Sequence, residues 1–375
     1  MTIKRAINFF KSQSVLCISM AAAVISAVFV VPDAQYIEYI NFSTLILLFC
    51  LMGAVSGFRE CGIFRKLSDS LMHKSSSLRK IVWILMNICF FSSMLITNDV
   101  ALITFVPVTV VIFDSMKTQN KTALITAVVI ETAAANLGSM LLPIGNPQNI
   151  FLCSEYELTP FYLIRNILPY GVISYIVLTL SVLLIPKSNI EPVEETEASC
   201  YKMSLRTAAL SCAIFIVSLL TVAGILNEYI CLAVSLLLIL AANWKLLLNI
   251  DYALLATFVC FFVFSGNIGR IDAVQSFLEN AVNGHELETA VIASQVISNV
   301  PSAVLLSTFT EQAKLLLIGT NIGGLGTPIA SLASLIAYRL YMTGKNSSTG
   351  KFMVIFLVYN AVFLGILFAS AKILL

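Results

Sequence analysis

Apolar runs dominate the chain, and polar residues enter as short, regularly spaced interruptions. Runs able to cross roughly 30 Å of hydrocarbon fall at 14–32, 41–58, 122–152, 161–185, 207–226, 229–243, 252–268, 314–338 and 352–371. Two further stretches are interrupted differently. Residues 81–96 and 100–113 flank Thr97-Asn98-Asp99; residues 288–297 and 302–310 flank Ser298-Asn299-Val300-Pro301. A spanning helix needs about 20 residues, so each pair predicts a re-entrant hairpin, over 81–113 and 288–311.

Composition turns this pattern into a fold class. Of 375 residues, 59% are hydrophobic and 11% charged, with mean hydropathy +0.94. Soluble domains carry about 25% charged residues, so the chain is expected to be an all-α polytopic membrane protein with the lipid bilayer as its surroundings. A net charge of +2 gives no reason to expect a nucleic-acid partner. The nine cysteines contain no C-x-x-C pair and read as small buried hydrophobes. His73 and His285 both lie in polar connectors, which excludes histidine-ligated metals and most histidine-based catalysis from the membrane interior. No metal or cofactor is expected beyond sodium or a proton as coupling ion. Lys4, Arg5 and Lys11 precede the run 14–31, which reads as an uncleaved first span rather than a signal peptide.

Basic residues orient the spans. Arg59, Arg65, Lys66, Lys74, Arg79, Lys80, Lys117, Lys121, Lys187, Lys202, Arg206, Lys245, Arg339, Lys345 and Lys351 mark the cytoplasmic side. Segments 33–40 and 153–160 have no Lys or Arg, and 269–287 has only Arg270; these fall outside. The first hairpin then enters from the cytoplasm and the second from outside, with the N-terminus inside and the C-terminus outside. Residues 1–186 form a first repeat, 187–206 a cytoplasmic linker with four glutamates, and 207–375 a linking span plus a second, inverted repeat. "NLGSMLLPI" (136–144) aligns with "NIGGLGTPI" (321–329). "SGF" (56–58) and "SGN" (265–267) each precede an amphipathic stretch, 59–72 and 270–283, expected to lie flat at the interface. Inverted repeats with discontinuous helices are a signature of secondary transporters.

In hydrocarbon a helix stops midway only where protein or a water-filled cavity receives its ends. Four such stops are written here: the two hairpin tips and the breaks "NLGSMLLPIGNPQN" (136–149) and "NIGGLGTPIAS" (321–331). Asn146-Pro147 and Thr327-Pro328 place a capping side chain before a proline at the first helical position, and Asn299 stands two before Pro301. Asn98 or Asp99 can cap the helix running on through Val100, and Pro143 adds a further breaker. Gly138, Gly145, Gly323, Gly324 and Gly326 permit the required torsions and close approach. Helix N-termini offer N–H groups and partial positive charge, and C-termini offer carbonyls. Together they predict a site for a small anion beside a small cation. Ser139, Ser302 and Thr327 supply hydroxyls; Asn136, Asn149 and Asn321 supply amides. Asp99, without an acidic counterpart in the second tip, is either a cap or a proton or cation coupler. Glu131 is the other acid in a predicted span and a second proton candidate.

At these residues a family becomes visible. "TNDVALITFVPVTV", "NLGSMLLPIGNPQN", "SNVPSAVLLS" and "NIGGLGTPIASLAS" resemble the ion-transporter superfamily with a citrate-transporter-like domain. That group holds arsenite permeases, NhaD-type sodium–proton antiporters and divalent-anion/sodium symporters. The chain looks most like putative anion permeases of the arsenite-permease/NhaD branch in bacterial inner membranes. The resemblance implies a homodimer with a scaffold domain and a mobile transport domain, working as an elevator. By position it carries substrate and sodium binding to Thr97-Asn98-Asp99, Ser298-Asn299-Val300, Gly138, Gly145-Asn146 and Gly323-Gly324, with sodium at Asn98 and Asn299. Neither tip reads Ser-Asn-Thr as in the divalent-anion symporters, and Asp99 in place of a hydroxyl points toward proton or cation handling.

Two functions follow from this fold: a symporter or antiporter of a small inorganic oxyanion or carboxylate, and a sodium–proton antiporter using Asp99. A membrane-embedded protease is disfavoured because no span offers a histidine base or a convincing aspartate pair. A channel is a further alternative. "GTNIGGLG" lacks the Lys-Ser/Thr of a P-loop, so ATP-driven transport is not expected.

Overall fold

The computed structural model describes residues 14–62, 77–115, 121–187, 204–344 and 347–375. Helices are the only regular elements of any length among them. They run α1 (Ser14–Phe29), α2 (Gln35–Glu38), α3 (Phe42–Glu60), α4 (Leu78–Ile96), α5 (Asn98–Ser115), α6 (Lys121–Ser139), α7 (Pro147–Glu155) and α8 (Pro160–Val182). Then come α9 (Leu205–Val222), α10 (Glu228–Asn243, continued by a 3₁₀ turn Trp244–Asn249), α11 (Tyr252–Gly269), α12 (Asp272–Val282) and α13 (Glu286–Ile297). The last are α14 (Asn299–Ser307), α15 (Ala313–Gly323), α16 (Leu332–Tyr341) and α17 (Thr349–Leu374). The amphipathic stretch 59–72 and the linker 187–206 lie largely outside the described residues, as do Lys4, Arg5, Lys11, Arg65, Lys66, His73, Lys74, Lys117, Lys202 and Lys345.

The helices sort by what they bury. α6 is buried on every side from Ala123 to Ser139, as expected of a helix that is the centre of a bundle. Around it α3, α4, α5, α7, α8 and α11 to α17 contribute to one continuous core. α3, α9 and α10 pack against each other through small separate clusters. Their faces are close: a side chain at Gly57 would meet Ser211 Oγ at 1.9 Å. Many of their remaining apolar residues, such as Ile216, Leu237 and Leu240, face outward, the arrangement expected against lipid rather than water.

Two opposite ends of the bundle carry different charge. At one end Arg79 Nε donates to the Ile185 carbonyl at 2.7 Å, Arg206 to the Ala241 carbonyl at 3.0 Å, and Asn243 Nδ2 to Glu60 Oε1 at 2.6 Å. At the other, Asn41 Nδ2 donates to Glu155 Oε2, the Tyr156 hydroxyl to the Thr310 carbonyl, Arg270 pairs with Asp33, and Lys372 pairs with Glu288.

Three readings of the sequence need correction. The first helix pair is longer than its apolar runs: α4 has 19 residues and α5 has 18, joined by Thr97 alone. Leu78-Arg79-Lys80 extends α4 below the hydrophobic stretch, and polar Asn98 and Asp99 belong to α5 itself. By length α4 is one of 8 described helices able to cross a membrane. The first run, read as 14–32, is helical among the described residues only as far as Phe29. Thr327 does not cap a helix beginning at Pro328. Gly326, at φ +102, turns the chain, and α16 begins only at Leu332 behind Ser331.

Candidate functional site

The two helix pairs turn at equivalent, strained residues. Thr97 has φ 68 and ψ 151; Ser298 has φ 76 and ψ 154. This region is nearly reserved for glycine and costs on the order of 1–3 kcal/mol for other residues. It persists because the following residue is anchored. Asn98 N donates to the Gly145 carbonyl at 3.3 Å, and Asn299 N to the Ala330 carbonyl at 2.9 Å. Gly145 and Ala330 both stand two residues after the proline of their break, Pro143 and Pro328.

Both breaks are received by protein. α6 ends at Ser139 and resumes as α7 at Pro147, with Asn146 Oδ1 accepting from Asn149 N at 2.9 Å. α15 ends at Gly323, and its continuation is α16. Leu141 in the first break lies against Gly171, midway along α8. The break and its tip therefore sit at the middle of the bundle.

Buried amides hold the centre together, and their bonds run crosswise between the halves. Asn136 Oδ1 accepts from Ser331 Oγ at 3.0 Å, while Asn321 Oδ1 accepts from Asn146 Nδ2 at 2.9 Å. Each asparagine of one broken helix thus bonds the residue that follows the other's break. Asn98 Nδ2 also donates to Asn136 Oδ1 at 3.0 Å; Asn321 Nδ2 donates to Asn149 Oδ1 at 2.7 Å and to the Leu317 carbonyl at 2.8 Å. Ser139 Oγ joins the two sets, donating to the Asn136 carbonyl at 2.9 Å and accepting from Asn146 Nδ2 at 3.4 Å.

Backbone partners fix which way these amides point. Asn98 Oδ1 accepts from Asp99 N, Asn149 Nδ2 donates to the Met140 and Leu142 carbonyls, and Asn321 Nδ2 donates to that of Leu317. Two atoms are then left over, both buried: the donor Asn136 Nδ2 and the acceptor Gln148 Oε1, whose own Nε2 reaches Asn321 Oδ1 at 3.5 Å. A buried amide atom without a partner is costly and calls for a ligand or water. No Lys, Arg or His belongs to this network.

Close helix approach frames it. A side chain at Gly138 would meet the Phe90 carbonyl at 2.0 Å; at Gly323 it would meet Ser294 Oγ at 2.7 Å. Ser93 and Ser294 occupy matching places, in Ser-x-x-Ile-Thr97-Asn98 and Ser-x-x-Ile-Ser298-Asn299. Gly324 lies under Asn299, where an added carbon would come within 2.8 Å of Nδ2.

The structure does not gather every predicted residue. Asn98 and Asn299 do not bond each other; each turns to its own broken helix. Ser302 Oγ donates away, to the Ala290 carbonyl at 3.4 Å. Thr327 is held by Gln295, whose Oε1 accepts from Thr327 N at 2.8 Å and whose Nε2 donates to the Gly323 and Leu325 carbonyls at 2.8 and 2.9 Å. That strap is why Thr327 is unavailable as a cap. Pro147 opens α7 as expected, and Pro301 is the third residue of α14. Asp99 stands half-buried in the first turn of α5, its own N–H held by Asn98 Oδ1. Glu131 lies deeper, bonded to Thr109. Gln148, Ser331 and Gln295 were not singled out from sequence. Two of them lie inside the quoted motifs, and the repeated Ser-x-x-Ile was a signal for the third.

A cavity of about 570 Å³ opens at the acid-rich end, between α3, α11, α7 and α14, with Glu155, Glu228, Phe151 and Val304 on its walls. Val304, on its wall, stands six residues after Ser298 on α14. At its rim the Arg270 guanidinium, 2.8 Å from Asp33, holds that carboxyl below its ordinary range.

A sequence profile described as citrate transporter matches residues 11–314, ending before the second break. The chain is 32% identical over 347 residues to an uncharacterized transporter of Methanocaldococcus jannaschii, covering 92% of this chain and 93% of that one. It is 29% identical over 305 residues to the inner membrane protein YbiR of Escherichia coli, covering 80% of each. Eight described helices long and apolar enough to cross a bilayer accompany these matches. The chain belongs to the citrate transporter family, and is an integral membrane transporter rather than an enzyme.

Proposed function

We propose that the protein is a secondary active transporter of a small anion, a carboxylate or inorganic oxyanion, driven by a sodium or proton gradient. The observation that carries this reading is the crosswise amide network with its uncommitted Asn136 Nδ2 donor and Gln148 Oε1 acceptor. An anion accepts from the first and from the backbone N–H groups of Val100 and Val300, the N–H groups in the first turns of α5 and α14 that are not committed to Gly145, Ala330, Asn98 or the residues of the tips. Since no basic side chain is present, a coupling cation offsets the ligand's charge, with Asn98, Asn299 and the carbonyls of Gly145 and Ala330 as its nearest oxygens. α4–α5 and α13–α14 are re-entrant in this reading, entering from opposite sides. They move with the broken helices as one transport body against the scaffold α3, α9 and α10, and two copies of the chain pair in the bacterial inner membrane. The N-terminus lies inside and the C-terminus outside.

Uptake into proteoliposomes tests it, with citrate, succinate, sulfate and arsenite as probes under imposed sodium or proton gradients. At least one probe accumulates, and Asn136→Ala abolishes accumulation; full uptake by that variant removes the site assignment. A second reading, a sodium–proton antiporter, is favoured by Asp99 as the one acid at either tip. A pH gradient that moves sodium without any anion, and fails to in Asp99→Asn, would select it.

A further inference from the structure

We propose that Glu131 and Thr109 form a proton-carrying site in the helix core, separate from the amide network, which supplies the coupling proton of transport. The site stands on geometry alone; its role in coupling rests on the transporter reading above.

Glu131 lies in the middle of α6 and Thr109 on α5, both fully buried. Thr109 Oγ1 is 2.6 Å from Glu131 Oε1 and 3.4 Å from the Phe105 carbonyl, and Glu131 Oε2 has no partner. With Glu131 neutral, every hydrogen has a place: the carboxyl O–H donates to Thr109 Oγ1, and the Thr109 hydroxyl donates to the Phe105 carbonyl. With Glu131 ionised, the one Thr109 hydrogen must leave Phe105, and Oε2 carries charge with no donor. Such a charge, buried and unpaired, is strongly penalised.

A sodium ion is a poor occupant. Hard cations gather several oxygens, whereas Thr109 offers one hydroxyl. The described residues contain no cluster of three acids, cysteines or histidines.

The neighbouring helices supply few titratable groups. α4 brings the buried Cys89 thiol. α17 brings Tyr359, partly buried against the core. On α8, Tyr175 donates to Asn87 Oδ1 and Tyr170 is buried. On α16, Tyr338 pairs with Thr349, Tyr341 accepts from Ser348 N, and Arg339 lies in the last turn. On α5 itself Asp99 is at the tip; Lys314 is the second residue of α15, and α6 begins with Lys121. Among the described residues no lysine, arginine or histidine pairs with Glu131.

A weak point lies beside the site. Pro107, inside α5, has no N–H for the Ile103 carbonyl and stands two residues before Thr109. Flexing α5 there moves Thr109 off Glu131 and admits water. The carboxyl then gives its proton to water and becomes a carboxylate; reloading is the reverse. Closing the helices requires the proton back.

Infrared spectroscopy of the full chain in lipid, from roughly pH 5 to pH 10, tests the site without any substrate. Wild type should show a carboxylic-acid C=O band near neutral pH that fades as pH rises. The band should vanish in Glu131→Gln and shift in Thr109→Val. A band unchanged in Glu131→Gln, or one insensitive to pH throughout, overturns the proposal. With citrate as the probe, Glu131→Gln should reduce gradient-driven uptake to the rate without a gradient; uptake still accelerated by the gradient as in wild type also overturns it. Asn136→Ala leaves the infrared band intact whether or not it transports, so failure of the amide site is distinguishable from failure of this one.

Discussion

The two helix pairs share a turn but differ in how firmly they are tied down. Both reverse through a strained non-glycine residue and donate the next backbone N–H to the carbonyl two residues past a proline. In the second pair Gln295 adds a strap of side-chain bonds to Gly323, Leu325 and Thr327. The matching position in the first pair is Met94, which makes none. The first pair instead carries the charge, Asp99 where the second has Val300. The second turn is strapped more tightly than the first, on a common backbone plan.

The largest expected effect separates the two glycine contacts. Gly138→Ala sets a methyl 2.0 Å from the Phe90 backbone carbonyl, which cannot rotate away; Gly323→Ala meets the Ser294 side chain less closely, 2.7 Å from Oγ and 2.8 Å from Cβ. Gly138→Ala should abolish folded protein, while Gly323→Ala should survive with a lowered melting temperature, read by size-exclusion in detergent and by thermal unfolding. Equal tolerance of both would contradict the packing described. Next comes the network. Asn321→Ala strands donors on Asn146 and Gln148 and an acceptor on Asn149, so it should cost more stability than Asn136→Ala, which strands Asn98 and Ser331. Each buried group left unpaired costs about 1–3 kcal/mol.

The strap itself is smaller. Gln295→Met should destabilise by about 1–3 kcal/mol and speed amide hydrogen exchange across 324–331, whereas Met94→Leu should leave exchange across 140–146 unchanged. Smallest is the rim pair. Because Arg270 lowers the Asp33 pKa in the folded state, its contribution is present above the ordinary carboxylate range and disappears as pH falls through the lowered value. Arg270→Gln should therefore narrow the difference in melting temperature between neutral and acid pH only slightly, since exposed pairs contribute little.

Much of the fold was legible because lipid makes hydropathy nearly sufficient: a polar tip or a glycine-proline break inside an apolar run has few other meanings. The errors came where polar residues were helical. Leu78-Arg79-Lys80 lengthens α4 although its charges end the apolar run, and Asn98 is a helical residue rather than loop. At the site, Asn136, Asn146 and Asn321 were readable as residue types with breaking motifs around them. Their partners were not, because Asn146 meets Asn321 across 175 positions. Thr327 was misassigned for the same reason: a proline beside it signals a cap locally, but Gln295, 32 residues earlier, claims it.

The crosswise bonds carry a consequence for assembly. Asn136 to Ser331 and Asn321 to Asn146 are reciprocal contacts, the pattern made when a surface meets a rotated copy of itself. The core of this chain makes the same contact twice, in reciprocal form. Neither broken helix completes the network without the other.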